Sequence, residues 1–229
     1  MFLLQTLLLF VFGFFTLYLT ALSILALGGR KRGSLVASHQ RKFAVVIPAH
    51  NEELAIAKTI RSLLAIDYPH SLFDLIVVAD NCNDKTADIA RSLGVIVYER
   101  EDHIHGGKGY ALRWCFERLL TRQPGYDAMA VIDADSAASG NFLVVMNSYL
   151  ERGAPVIQCS DVVEPSPGAW SAEMTRIGFL LYNYVRPMGR RVIGCSAGLR
   201  GNGMCFRTEA LRTVPWEAYS LAEDLEYGM

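Results

Sequence analysis

The chain opens with a long apolar stretch, Met1 to Gly29, that carries no charged side chain. About 20 apolar residues are enough to cross a bilayer as a helix, so the part from Phe2 to about Leu27 is predicted to be one transmembrane helix. A cleaved signal peptide is the alternative, because Ala26-Leu-Gly28 contains the small residues of a cleavage site. The apolar run is long for a leader and no basic region precedes it, which favours a retained anchor.

From Phe43 onward, short apolar runs alternate with amphipathic segments. Four apolar runs rich in β-branched residues are predicted to be strands, at residues 43–47, 75–79, 95–98 and 128–132. Helical periodicity predicts helices between them, near residues 52–66, 84–93 and 107–121. Continuous apolar strands that alternate with helices are typical of a sheet covered on both faces, so we expect a mostly parallel sheet in a Rossmann-like, nucleotide-binding α/β domain.

The pattern becomes less regular after residue 140. It predicts a helix near residues 141–151, a strand at Val156-Ile-Gln-Cys159 and a turn from Pro165 to Gly168. The stretch from Trp170 to Arg186 has a helical period and many bulky apolar residues, which favours a helix packed against the sheet. Contact with a membrane surface or a lipid acceptor is the alternative interpretation.

Basic residues follow the N-terminal apolar stretch and none precedes it, which predicts that the chain beyond the span is cytoplasmic. These residues are Arg30, Lys31, Arg32, Arg41 and Lys42. We therefore expect a single-pass protein of the inner or plasma membrane in three parts. They are a transmembrane anchor at residues 1–29, a basic juxtamembrane linker at 30–42 and one α/β domain at 43–229.

The overall charge is balanced, with 22 Lys and Arg against 23 Asp and Glu and a net charge of -1. This balance offers no electrostatic reason to expect nucleic acid as a partner, and we expect none. The cysteines lack C-x-x-C spacing, so neither a zinc site nor a disulfide framework is indicated, and reduced thiols agree with a cytoplasmic domain. They are Cys82, Cys115, Cys159, Cys195 and Cys205.

Polar residues cluster directly after three of the predicted strands. The first strand runs into Pro48-Ala-His-Asn-Glu52, the second ends at Asp80, and the fourth ends at Asp133-Ala-Asp135. Ligands of open parallel sheets bind outside the carboxyl ends of the strands, so these clusters are expected to share one rim. Any one of them could be a helix cap or an Asx turn, but the three together indicate a ligand site.

Asp133 and Asp135 are spaced so that both side chains point to the same side of an extended strand end. Two such carboxylates repel each other unless a cation lies between them. A hard divalent ion, with diphosphate oxygens completing its shell, would remove that repulsion. The pattern therefore predicts a metal site at this rim.

Two glycine-dense segments are further candidates. Gly106-Gly-Lys-Gly109 precedes an amphipathic helix, so its N–H groups and Lys108 could approach a phosphate, although a tight turn alone is equally consistent with it. It is not a Walker A loop, because Asp102 stands where the first glycine of that motif is required. Gly198-Leu-Arg-Gly-Asn-Gly-Met204 could let the backbone approach a ligand closely.

Taken in order, these motifs resemble family 2 glycosyltransferases of the GT-A fold, and the resemblance covers nearly everything after residue 43. The motifs are Val-Val-Ile-Pro-Ala-His-Asn-Glu (45–52), Val-Val-Ala-Asp (77–80), Gly-Gly-Lys-Gly (106–109), Asp-Ala-Asp-Ser (133–136), Gly-Asn-Gly-Met (201–204) and Glu-Asp (223–224). The chain is similar in particular to membrane-bound polysaccharide and glycolipid synthases, including cellulose and poly-N-acetylglucosamine synthases. The resemblance implies a nucleotide-sugar donor and a glycan or lipid-linked acceptor.

The resemblance also implies roles for single residues. Pro48 and Glu52 would lie around the nucleoside, and Asp80 would pair with the uracil of a UDP-sugar. Lys108 would lie near the diphosphate, and Asp133 near the ribose or the metal.

Asp135 would coordinate Mg²⁺ or Mn²⁺ bridging the diphosphate, and Asp224 would be the catalytic base of an inverting displacement. A further group would contact the donor or acceptor sugar, namely Gly201, Asn202, Gly203 and Glu223.

One departure concerns the C-terminal end. Polymerising members of the family continue with a Gln-x-x-Arg-Trp motif and further membrane helices, which do not occur before Met229. We expect the sequence to be a fragment of a longer enzyme, the alternative being a non-polymerising enzyme. Two other functions are alternatives to a glycosyltransferase. A nucleotide-sugar pyrophosphorylase would need a glycine- and arginine-rich loop directly after the first strand, where Pro48-Ala-His-Asn-Glu52 stands instead. The other is a membrane-anchored nucleotide-binding protein with an inactive transferase domain.

Overall fold

The computed structural model of the chain describes residues 2–29, 38–123, 125–163, 170–220 and 222–228. The chain divides into two compact units. One comprises residues 1–33 and 160–198, and the other comprises residues 34–159 and 199–229. The second contains the sheet and is called here the sheet unit; the first is called the helical unit.

The sheet unit is built on one six-stranded sheet in the order β3-β2-β1-β4-β6-β5. Strands β1, β2, β3 and β4 pair in parallel, and β6 runs antiparallel to both β4 and β5. The bounds are β1 Phe43–Ala49, β2 Phe73–Asp80, β3 Ile96–Arg100, β4 Ala128–Val131, β5 Val156–Gln158 and β6 Met204–Arg207. The expected mostly parallel α/β sheet is confirmed.

Helices cover both faces of this sheet. They are α2 Ile56–Leu64, a 3₁₀ turn His70–Leu72, α3 Thr86–Ser92, α4 Lys108–Thr121, α5 Phe142–Glu151, α8 Thr208–Thr213 and α9 Glu223–Tyr227. Every residue of β1 is buried, because its alternate side chains enter different cores. Val45 and Ile47 pack with α2 and α5, whereas Ala44 and Val46 pack with α4. The uninterrupted apolar run at residues 43–47 is explained by this burial on both sides.

The helical unit contains α1 Phe2–Gly28, α6 Trp170–Leu180, a π-helical turn Leu181–Val185 and α7 Arg186–Val192. Helix α1 is long and apolar enough to cross a membrane. Along α1, Leu22 is buried, and most other side chains are exposed. A helix that is apolar on all sides and exposes most of its side chains has the surface of a membrane span.

The expectation that residues 170–186 form a core helix packed on the sheet is wrong. These residues belong to the helical unit, and no residue of α6 is buried. Bulky apolar residues stand at too many positions around the helix to define a single buried stripe. The turn expected from Pro165 to Gly168 lies outside the described residues.

Candidate active site

A cavity of about 360 Å³ opens at the carboxyl ends of β1 and β2 and at the start of α4. This is the rim where ligands of parallel sheets bind. The lining residues are Pro48, Ala49, His50, Asp80, Asn81, Gly106, Gly107, Lys108 and Ala111. His50 and Asn81 also line a second cavity of about 500 Å³. Both cavities lie within the sheet unit.

Asp80 lines the first cavity, and its buried carboxylate has protein partners on both oxygens. Its Oδ1 lies 2.5 Å from Nη1 of Arg100, and its Oδ2 accepts the N–H of Gly107 at 3.2 Å. Arg100 is itself buried, at the end of β3 on the same rim. A buried carboxylate needs such partners, because an unpaired charge in the interior is very costly.

The same arginine fixes the loop that leads to α4. Its Nη2 donates to Oδ2 of Asp102 at 2.9 Å and to the carbonyl of His105 at 2.7 Å. Asn81 closes the loop from the other side, since it accepts the N–H of Asp102 and donates to that residue's carbonyl. The N–H of His105, with further help from Arg100, lowers the pKa of Asp102. The loop before the Gly-Gly-Lys-Gly motif is therefore held by a charged network.

Lys108 links the cavity to three other segments. Its Nζ donates to Oδ1 of Asp133 and to the carbonyl of Gly201 at 2.9 Å, and it lies 3.7 Å from Oε1 of Glu223. The first turn of α4 positions it, and Gly107 precedes it with a φ of 114°, which favours glycine. One ammonium group thus offsets two carboxylates at this point.

The glycine-rich segment 201–203 docks on the Asp-x-Asp loop through Asn202. Its Oδ1 accepts the N–H of Asp133 at 3.1 Å, and its Nδ2 donates to Oγ of Ser136 at 2.8 Å. Gly203 donates its N–H to the carbonyl of Val131 at the end of β4. Gly201 has a φ of +76°, and a methyl group there would lie 3.4 Å from Lys108 Nζ. A side chain at Gly201 would therefore be both strained and crowded.

Asp133 and Asp135 differ in their surroundings. Asp133 faces Lys108, whereas the side chain of Asp135 is exposed. In the part of the chain that the structure describes, no three His, Cys, Asp or Glu side chains come together as a cation site. Mg²⁺ is commonly bound through one or two carboxylates and the phosphate oxygens of a substrate. The two aspartates fit a cation of this kind, one whose shell a bound diphosphate completes.

Glu223 and Asp224 open the short helix α9 beside Lys108. Glu223 is buried, and Asp224 is half-buried. A methyl group at Gly201 would lie 3.6 Å from Oδ2 of Asp224, so this carboxylate adjoins the same glycine that Lys108 contacts. The carboxylate of Asp224 therefore lies on the same rim as Lys108 and Gly201.

The loop ahead of α9 is held in two ways. Glu226 accepts the N–H groups of Tyr219 and Ser220, both at 2.9 Å, and the hydrogen bonds from Ser220 and Tyr219 lower its pKa. Helix α4 approaches the loop closely at Gly109, where a methyl group would lie 2.2 Å from the carbonyl oxygen of Ala218. These contacts set the position of Glu223 and Asp224 relative to Lys108.

Most of the residues singled out in the sequence lie together. Pro48, Asp80 and Lys108 line the first cavity. Lys108 in turn contacts Asp133 and Gly201 and lies near Glu223. Asn202 binds Asp133, and Asp224 adjoins Gly201.

Glu52 does not line the first cavity. Its backbone N–H donates to Oγ1 of Thr86, and its carbonyl accepts the N–H of Ile56, the first residue of α2. The sequence predicted no role for His50 and Asn81, although both lie in the clusters that follow the strands, and it did not indicate Arg100 at all. A usable signal existed for Arg100, which ends a strand at the same rim.

Comparison with known families and relatives agrees with these features. The family model described as glycosyltransferase-like family 2 matches residues 39–229. The beta-monoglucosyldiacylglycerol synthase of Trichormus variabilis is 26% identical over 193 residues, covering 80% of this chain and 39% of the relative. The chain therefore spans about two fifths of the length of this relative.

Solved structures share the fold. The mannosyltransferase PcManGT from Pyrobaculum calidifontis, in complex with GDP-Man and Mn²⁺, matches with a TM-score of 0.71 at 17% identity, covering 97% of this chain and 61% of that one. Glucosyl-3-phosphoglycerate synthase from Mycobacterium tuberculosis, in complex with Mn²⁺, UDP-glucose and phosphoglyceric acid, matches with a TM-score of 0.54 at 22% identity, covering 82% and 63%.

Proposed function

The chain belongs to glycosyltransferase family 2, and from that membership we propose that it transfers a sugar from a nucleotide-sugar donor, with a UDP-sugar as first candidate, to a lipid-linked or polysaccharide acceptor. The family and fold expected from the motifs are confirmed. The observation that carries the proposal is the convergence of a nucleotide-sized cavity, Lys108, the Asp-x-Asp loop and Asp224 on one rim.

The donor occupies the cavity, with its nucleoside against Pro48 and Asp80 and its diphosphate towards Lys108. The positive end of α4 and the lysine favour phosphate at this place. Asp80 reads the base through lone pairs that Arg100 and Gly107 leave available, since an ionised carboxylate offers about four acceptor positions. The fold alone does not select the nucleotide, since PcManGT was solved with GDP-Man. The preference for UDP therefore rests on the resemblance of the motifs.

Mg²⁺ or Mn²⁺ would be held by Asp135 together with Asp133 and the donor's diphosphate. A divalent ion there would neutralise charge on the departing diphosphate. Two solved structures with the same fold contain Mn²⁺, which supports the use of a divalent ion. Lys108 contacts Asp133, and we propose that its ammonium group also binds the diphosphate of the donor.

Asp224 acts as the general base. Its carboxylate takes the proton of an acceptor hydroxyl while that oxygen forms a bond to the anomeric carbon. The bond from this carbon to the diphosphate oxygen breaks on the opposite face, and the nucleoside diphosphate leaves. A single displacement inverts the anomeric configuration. Glu223, which adjoins Lys108, helps to position the reacting sugar.

We place the catalytic domain on the cytoplasmic side of a membrane that α1 crosses. The length and apolar composition of α1 and the basic residues behind it support this orientation. The relative from Trichormus variabilis is a glucosyldiacylglycerol synthase, which supports a lipid acceptor at the same surface.

A thermal-shift screen tests donor and metal use. The protein in detergent is heated with UDP- and GDP-sugars, each with Mn²⁺ and with chelator. A ligand at 100 times its Kd stabilises the folded protein by about 2.7 kcal/mol, so one donor with Mn²⁺ should raise the melting temperature. Asp135→Asn should lose the Mn²⁺-dependent part, and Glu117→Gln, which removes an exposed carboxylate on α4, should keep it. No response to any donor, or equal responses with chelator and in Asp135→Asn, would contradict the proposal.

A further inference from the structure

Helix α1 is longer than the hydrocarbon core of a bilayer. Its 27 residues correspond to about 40 Å at roughly 1.5 Å per residue, whereas the hydrocarbon core is about 30 Å thick. About 10 Å of the helix therefore lies outside the hydrocarbon. If the exposed N-terminal part fills the core, this excess is the C-terminal end of α1.

Helix α7 packs on that C-terminal end. A methyl group at Gly189 would lie 2.1 Å from the carbonyl oxygen of Leu22, so the two backbones are in close contact. Farther along, a methyl group at Gly29 would meet Val192 and Met188 at 2.9 and 3.1 Å. Helix α7 therefore lies at the depth where α1 leaves the hydrocarbon core and enters the head-group region.

The chain just before α7 exposes large apolar and aromatic side chains. Trp170 is 77% exposed, Tyr182 is 52% exposed and Phe179 is 41% exposed. Others exposed on the same stretch are Met174, Ile177, Leu181 and Tyr184. Large apolar side chains exposed in this number are typical of a surface that contacts a partner. Trp and Tyr are the residues enriched at membrane–water interfaces, because each has an apolar body and a polar tip.

The charged residues of the stretch are mostly basic. Trp170–Ile193, called here the interfacial segment, contains four arginines against one glutamate. The glutamate, Glu173, is bound by Arg176 at 2.6 Å. The remaining arginines, Arg186, Arg190 and Arg191, all lie on α7 beside the end of α1. Clusters of basic residues just cytoplasmic of a span attract anionic lipid head groups.

We propose that the interfacial segment lies in the head-group region of the cytoplasmic leaflet, with the arginines of α7 binding anionic phospholipids and the aromatic residues of α6 and the π-helical turn inserted at the level of the upper acyl chains. The inference rests on the proposed membrane span of α1. A lipid surface fits better than a protein partner because the basic cluster, the exposed Trp and Tyr, and the end of the span coincide at one depth.

Depth-dependent quenching tests this placement on the full chain reconstituted in vesicles. The vesicles contain brominated phosphatidylcholine, with or without phosphatidylglycerol, and the difference between wild type and Trp170→Phe isolates the signal of Trp170. We expect bromines near the head group to quench Trp170, and quenching to increase when phosphatidylglycerol is present. The triple variant Arg186→Gln/Arg190→Gln/Arg191→Gln should lose that increase, and Lys at the same three positions should restore it.

A matched triple variant in the sheet unit, Arg61→Gln/Lys85→Gln/Arg212→Gln, removes the same charge and should keep the increase. Alkaline carbonate extraction, run in parallel, tests the span itself. Extraction of the chain would overturn the span and this inference with it. A chain that resists extraction but shows no quenching of Trp170 would overturn the inference alone. Quenching that is equal in both lipids, or unchanged by the α7 triple variant, would overturn the recognition of anionic lipid.

Discussion

At the scale of single residues, the ion pair between Arg100 and Asp80 is a buried charged contact at the rim. Both side chains are about 95% buried and lie 2.5 Å apart. Removal of one partner from a buried pair typically costs about 3–5 kcal/mol, because the other charge is left uncompensated. The pair also fixes the loop before Lys108, so its loss should affect donor binding as well as stability.

We expect Arg100→Met to lower the free energy of unfolding by about 3–5 kcal/mol and to raise KM for the donor. Urea denaturation and donor kinetics would measure the two effects. The double variant Arg100→Met/Asp80→Leu should be more stable than Arg100→Met, since it leaves no buried charge. A single variant as stable as wild type would show that the pair is not the buried contact described.

The lowered pKa of Glu226 predicts that the loop before α9 depends on pH. The N–H groups of Ser220 and Tyr219 bind its carboxylate and lower its pKa. A depressed folded pKa means that the stabilisation is present above the unfolded pKa and is lost as the pH falls through the folded one. Acidification should therefore release the loop before α9.

Hydrogen exchange at the amides of Tyr219 and Ser220 would measure this release. After correction for intrinsic exchange, protection should fall as the pH drops through the folded pKa of Glu226. Glu226→Gln should show low protection at every pH, and Glu209→Gln, which removes an exposed carboxylate on α8, should behave as wild type. Protection that does not change with pH would rule out this role for the carboxylate.

At the scale of secondary-structure elements, the contact between α4 and the loop before α9 sets the spacing of the rim. A methyl group at Gly109 would lie 2.2 Å from the carbonyl of Ala218, whereas at Gly106 it would meet its nearest neighbour at 3.7 Å. Gly109→Ala must therefore push the two elements apart, and overpacking typically costs about 1–3 kcal/mol.

We expect Gly109→Ala to be destabilised by that amount and to lose turnover, because the shift separates Asp224 from Lys108. Gly106→Ala is the matched variant and should keep wild-type stability. Chemical denaturation and initial rates would measure both. Equal stability of the two variants would show that α4 and the loop are not in close contact.

The elements differ in how readily the sequence predicts them. Strands such as β1 were predictable because burial on both sides leaves an uninterrupted β-branched run. The rim clusters at Asp80 and Asp133 followed from the positions of the strand ends. The place of α6 was not predictable, because apolar residues all around a helix indicate burial in protein and in lipid equally. Arg100 was missed because its position at a strand end indicates that it lies at the rim but does not indicate that it is buried.

At the scale of the whole molecule, we propose that the helical unit attaches the protein to a membrane and that the sheet unit carries out the sugar transfer. The proposed reaction needs a nucleotide-sugar from the cytoplasm, and the proposed acceptor is lipid-linked or a growing glycan. A catalytic domain held at the surface of the leaflet can reach both the donor in the cytoplasm and the acceptor at the membrane. The basic residues that follow α1 in the sequence predict that this domain lies on the cytoplasmic side.

The central proposal is tested most directly by the anomeric configuration of the product, measured together with the turnover of Asp224→Asn. Reconstituted protein is supplied with the donor identified by thermal shift, Mn²⁺ and a lipid-linked acceptor, and NMR follows the anomeric proton of the product and release of the nucleoside diphosphate. A positioned base contributes about 10²–10⁴-fold in rate, so Asp224→Asn should lose that much turnover while still binding donor. We expect an inverted product from the wild type. A product that retains the donor's anomeric configuration, or near-normal turnover in Asp224→Asn, would contradict the proposed mechanism.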